Sequence, residues 1–101
     1  MSGVAWVMRV LEVNTENGAA WSDDPMWIAG FDVDEFDGRG SVEYTFDVRT
    51  AYRFATIDDL FDAWTMQSQV KPRRTDGLPN KPLTAITIAA EQVHDERYDQ
   101  R

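Results

Sequence analysis

Only one stretch of this chain repeats its apolar residues with the period of an α-helix. Ile57, Leu60, Phe61 and Trp64 fall at i, i+3, i+4 and i+7, which stacks them on one helical face. Thr56 and Asp59 frame its start as a capping box, with aspartate in place of the usual glutamate. Asp58, Asp59 and Asp62 crowd the first two turns, where the positive end of the helix dipole favours them. Pro72 pushes the residue before it out of the α region. The spacing therefore predicts a helix over residues 57–69, with Ile57, Leu60, Phe61 and Trp64 inward. Asp58, Asp59, Asp62 and Gln69 would then face solvent.

The other apolar segments read as strands. Residues 4–13 (VAWVMRVLEV) carry four valines and only two charges, Arg9 and Glu12, which suits a strand covered on most of both faces. Asn14-Thr15-Glu16-Asn17-Gly18 supplies turn chemistry. Residues 26–32 follow as a second strand, with Gly30 as a candidate bulge. In residues 41–46, Val42, Tyr44 and Phe46 alternate with Ser41, Glu43 and Thr45, the pattern of a half-buried strand. Gly38 and Gly40 precede it, so the second and third strands are expected to form a hairpin around an acidic loop. Residues 71–82 (KPRRTDGLPNKP) hold three of the four prolines and an Asp-Gly turn, a long loop held in order rather than a linker. Residues 83–93 return as the last strand, and residues 94–101 form a charged, frayed tail. The order β-β-β-α-β predicts an α+β fold, a small antiparallel sheet of about four strands with one helix packed on a face.

The chain has 101 residues and no cysteine. One domain fills that length, with its core at about residues 4–93. Its stability comes from apolar packing, without disulfides, and thiol nucleophiles and cysteine-ligated metals are excluded. No apolar run nears the roughly 18 residues that span a bilayer, and residues 1–6 lack a basic signal region. A cytoplasmic protein with no membrane contact is the expectation. The net charge of −8 argues against a general binder of phosphate backbones.

Chemistry-bearing motifs are incomplete. Asp32, Asp34, Asp37 and Glu43 have the outline of a calcium loop, but Phe36 stands where a ligand is needed and Gly38 comes one position late. A solvated acidic hairpin tip is the better account. His94 is the only histidine and has no partner specified by the sequence. Ser22, Ser41 and Ser68 lie outside any Gly-x-Ser-x-Gly elbow. Asp37-Gly38-Arg39-Gly40 lacks the Lys-Ser/Thr pair of a phosphate loop. No cofactor, metal or catalytic residue is expected, and an enzyme built from carboxylates would need a deep pocket with two converging acids.

Charge is nevertheless polarised. Residues 14–47 carry nine acids and one base, Arg39, whereas Lys71, Arg73, Arg74 and Lys81 face only Asp76 in their loop. The basic loop could grip an acidic partner or a phosphate backbone, or neutralise the acidic loop of its own fold. Trp21, in an acidic polar segment, is the best candidate for an exposed aromatic anchor. The expected binding residues are Trp21, Asp34, Glu35, Asp37, Arg73, Arg74 and Lys81.

One segment carries a resemblance. Asp76-Gly77-Leu78-Pro79-Asn80-Lys81-Pro82-Leu83-Thr84-Ala85, a DG-x-PN-[KR]-PLTA string, follows Asp37-Gly38-Arg39-Gly40, Thr45-Phe46-Asp47, Arg53-Phe54, Ala63-Trp64 and Gln67-Ser68. Across most of residues 26–93 the chain resembles small proteins recurrent in phages and prophages of actinobacteria. That resemblance implies an origin and the host cytoplasm as the place of action, and assigns no catalytic residue. The expectation is a non-enzymatic accessory protein, monomer or homodimer, that binds a host or phage macromolecule, with a protein as the favoured partner. The alternative is a nucleic-acid-binding module that uses the basic 71–81 loop.

Overall fold

The computed structural model describes residues 3–15, 18–20 and 24–94. Trp21 and the tail from residue 95 onward, both named above, lie outside the described residues. Five strands, β1 (Val4–Thr15), β2 (Gly18–Ala20), β3 (Trp27–Asp32), β4 (Ser41–Thr45) and β5 (Ile86–His94), make one antiparallel sheet. The four main strands run in the order β5-β1-β3-β4. Val13 pairs with both Ala20 and Ile86, and Arg9 pairs with both Trp27 and Ala89. Short β2 and β3 therefore share one side of β1, with β5 on the other. β2 is an addition to the expected order, made from part of the segment read as a turn.

Strand β1 is central because both its faces are apolar. Met8 and, at half burial, Trp6 and Val10 face the larger core, which also holds Ile28, Val33, Phe54, Leu60, Ala63, Leu83 and Ile86. Val7 faces a smaller core with Trp27 and Ala51. A register shift between Val10 and Glu12 inserts Leu11 and reverses the alternation. Val13 consequently points to the same core as Met8. Gly30 sits at the expected irregularity, where the β3–β4 register shifts after Ile28. Phe54 completes the side of β1 that β3 leaves free, exchanging two 2.9 Å backbone hydrogen bonds with Trp6. On the smaller-core face, Trp27 Nε1 donates to Glu91 at 2.9 Å, and Arg9 meets the same carboxylate at 3.5 Å.

Helix α2 (Ile57–Trp64) starts where the capping box places it, with Thr56 Oγ1 accepting from the Asp59 amide at 3.0 Å. It ends five residues earlier than the expected 69. Thr65 Oγ1 donates back to the Phe61 carbonyl at 2.8 Å, and the donors of residues 68–70 find an acceptor elsewhere in the fold. The buried stripe is also narrower than expected. Leu60 and Ala63 are buried and Trp64 is half-buried, its indole donating to the Ile86 carbonyl at 3.0 Å. Ile57 and Phe61 are 38% and 41% exposed, so the helix is covered along the line of Leu60, Ala63 and Trp64 and not over the whole of its apolar face. Leu83, expected in the last strand, is instead buried within a 3₁₀ turn, Pro82–Ala85, that leads into β5. Among the described residues no helix is long and apolar enough to cross a membrane.

Candidate functional site

The acidic segment after β3 and the basic loop before β5 lie against each other. Asp34 makes the first link: its Oδ1 accepts from Ser68 Oγ at 3.0 Å, the Gln69 amide at 2.7 Å and the Val70 amide at 3.3 Å. All three donors lie beyond the C-terminal end of helix α2. The Gln69 hydrogen bond, with those from Ser68 and Val70, holds the Asp34 carboxyl below its usual value, while desolvation opposes it. Ser68 is fully buried and accepts in turn from the Lys71 amide at 3.2 Å.

Asn80 makes the second link. Its Nδ2 donates to the carbonyls of Gly38 and Lys71 at 2.6 and 2.9 Å. Its backbone receives the Ser68 amide and gives to the Pro72 carbonyl, both at 2.9 Å. The side chain thus joins the turn after β3 to the basic loop. The approach is close enough to require glycine. A Cβ on Gly38 would stand 2.5 Å from Lys71 Cβ, and its φ of +85° is left-handed.

Between these links lies a strained turn, α1 (Glu35–Gly38), in which Phe36 and Asp37 adopt φ of 54° and 58°. Left-handed conformations cost a non-glycine residue about 1–2 kcal/mol, and they persist where surrounding bonds leave no alternative. Here the Gly40 amide reaches the Glu35 carbonyl at 2.9 Å, and the Asp34 amide donates to Asp32 at 2.9 Å. Phe36 is 66% exposed at the tip.

The basic loop is itself braced. Arg73 and Pro79 form a bridge, and the Arg74 amide donates to the Leu78 carbonyl at 2.8 Å. Arg73 also donates to the Gly77 carbonyl at 2.9 Å, and Arg74 pairs with Asp76 at 2.8 Å.

The α1 turn separates two kinds of depression. On one side Phe31 and Phe36 accompany Asp32, Glu35 and Glu43 around about 370 Å³. On the other, Arg39, Lys71, Arg74 and Lys81 line two adjoining hollows. Of the residues singled out from sequence, Glu35, Asp37, Arg73, Arg74 and Lys81 are exposed, Glu35 beside the acidic hollow and Arg74 and Lys81 beside the basic ones, whereas the Asp34 carboxylate is engaged within the fold. Phe36, Arg39 and Lys71 are additions. Phe36 had one visible signal, a lone aromatic inside an acidic run, and Lys71 stood in the basic run of residues 71–81; Arg39 had none, because only the Asn80 link ties its neighbour Gly38 to that loop. Among the described residues, no group of three histidine or acidic side chains could hold a metal ion.

In comparisons with known proteins, no family model and no curated protein matches the sequence, and no solved structure matches the fold.

Proposed function

We propose that this is a non-enzymatic accessory module that docks a host or phage protein on the face formed by residues 34–40 and 71–81. It works in the host cytoplasm, as a monomer or as a homodimer joined at a free sheet edge. The observation that carries this reading is the separation of charge across the α1 turn, with acids and aromatics on one side and bases on the other. A surface of mixed sign with an aromatic at its centre fixes the orientation of a protein partner and supplies an apolar anchor. The second reading, nucleic-acid binding, gains Arg39 as a further cation beside the basic loop. Among the described residues, no aromatic lines either of the two basic hollows to stack on a base.

Affinity capture from host lysate tests the proposal. Captured protein should fall sharply with Arg73→Glu/Arg74→Glu and with Glu35→Lys/Phe36→Ser, and stay unchanged with Asp58→Lys/Asp62→Lys on helix α2. Capture that survives both loop variants in folded protein, and is lost with the helix variant, overturns it.

A further inference from the structure

The two hollows on the basic side form one cleft with two lobes. The first, about 240 Å³, is lined by Gly38, Arg39, Lys71, Arg74, Thr75 and Asn80. The second, about 370 Å³, shares Arg39, Arg74 and Asn80 and adds Lys81. Neither lobe has an acidic or aromatic side chain in its lining. That is a local reversal of sign in a chain of net charge −8. Arg39, Lys71 and Lys81 have no ion-pair partner among the described residues, while Arg74 is held by Asp76.

The cations stand on three separate stretches of chain that Asn80 and Asp34 tie together. Asn80 binds the carbonyls of Gly38 and Lys71, the neighbours or bearers of two of them, and itself precedes Lys81. Their backbone positions are thus set before any ligand arrives, which lowers the ordering cost of binding. Arg39, Lys71 and Lys81, exposed and without an internal counter-charge, repel one another, and an anion bridging such charges relieves that repulsion.

Resting on the reading of this face as a protein-docking surface, we propose that the cleft seats a short acidic segment of the partner. Carboxylates bridge Arg39 and Arg74 at the shared wall, with one lysine serving each lobe. Arginine forks suit planar carboxylates in this role. A nucleic-acid strand fits less well. It would meet no aromatic in the cleft, and beyond the α1 turn it would meet Asp32, Glu35 and Glu43.

The test is an amide-resolved NMR titration of the full chain with hexaglutamate and, separately, with an oligothymidylate hexamer at equal ionic strength. Hexaglutamate should shift the amides of Arg39, Lys71, Arg74 and Asn80 in a saturable manner that weakens with added salt. Arg39→Ser/Lys71→Ser, which removes two cations without stranding an internal partner, should weaken it about tenfold. Lys71→Ser alone should act in the same direction and keeps the Cβ that packs on Gly38. Tighter binding of the oligonucleotide at these amides, or no shift with either probe, overturns the proposal. If hexaglutamate fails while Glu35→Lys/Phe36→Ser still abolishes lysate capture, the docking face stands and only the acidic-segment assignment falls. If capture is also insensitive to those loop variants, both fall.

Discussion

Replacing Asn80 by alanine should loosen the joint between the two loops. The substitution removes two hydrogen bonds from one Nδ2, to Gly38 O at 2.6 Å and Lys71 O at 2.9 Å. Each such bond contributes about 0.5–1.5 kcal/mol net, so the loss is about 1–3 kcal/mol. The backbone bonds of residue 80, to Ser68 and Pro72, survive the change and keep the upper bound modest. For a domain of this size each kcal/mol lowers Tm by about 4–8 °C. Asn80→Asp should be worse, because it sets a carboxylate oxygen against two carbonyls in place of a donor. Thermal and denaturant unfolding give the magnitude, and hydrogen exchange gives the place. The Ser68 and Arg74 amides should exchange faster in the alanine variant than those of β1 and β5. A melting temperature within about 2 °C of the parent, with exchange at Ser68 unchanged, would refute the idea that this side chain joins the loops.

Gly38→Ala tests the same joint from the other side: with φ at +85° and Lys71 Cβ 2.5 Å from the new methyl, it should cost at least about 1–2 kcal/mol, read by denaturant unfolding. Leu60→Ala should cost about 2–5 kcal/mol by the same measurement, and Phe61→Ala less than half of that, because Leu60 is fully buried and Phe61 is 41% exposed. Asp34 carries a pH signature. Its carboxyl is held low in the folded state, so its stabilisation is complete above the unfolded value of about 3.9 and is lost as pH falls through the folded value. The Gln69 and Val70 amides should accordingly open on the acid limb by hydrogen exchange. Asp34→Asn should abolish that pH dependence.

The parts legible in sequence are those set by neighbours along the chain. The strand at residues 41–45, the Thr56 cap and the Gly30 bulge depend on a few adjacent residues, and each stands where the pattern puts it; the expected inward set does not, because Tyr44 is 41% exposed and Phe46, beyond the end of β4, is 65% exposed. The end of helix α2 was not legible. Nothing near Ser68 announces that its hydroxyl and the next two amides will be drawn to Asp34, thirty-four residues earlier. The inward placement of Ile57 and Phe61 fails for a related reason. Helical spacing defines a face, but how much of it is covered depends on where the helix lies over the sheet. The candidate face was partly legible. Opposed charge in the 32–37 and 71–81 segments marked both loops, yet Asp34 proved to be engaged by the fold. Arg39 and Lys71 acquire meaning only once Asn80 brings their backbones together.

The central claim is that a partner protein docks across the α1 turn and the basic loop. The most direct measurement is hydrogen exchange on the complex recovered by lysate capture, compared with the free chain. The account predicts added protection confined to residues 34–40 and 71–81, with helix α2 and β5 exchanging as before. Protection concentrated on helix α2 or along β5, with both loops unchanged, would contradict it.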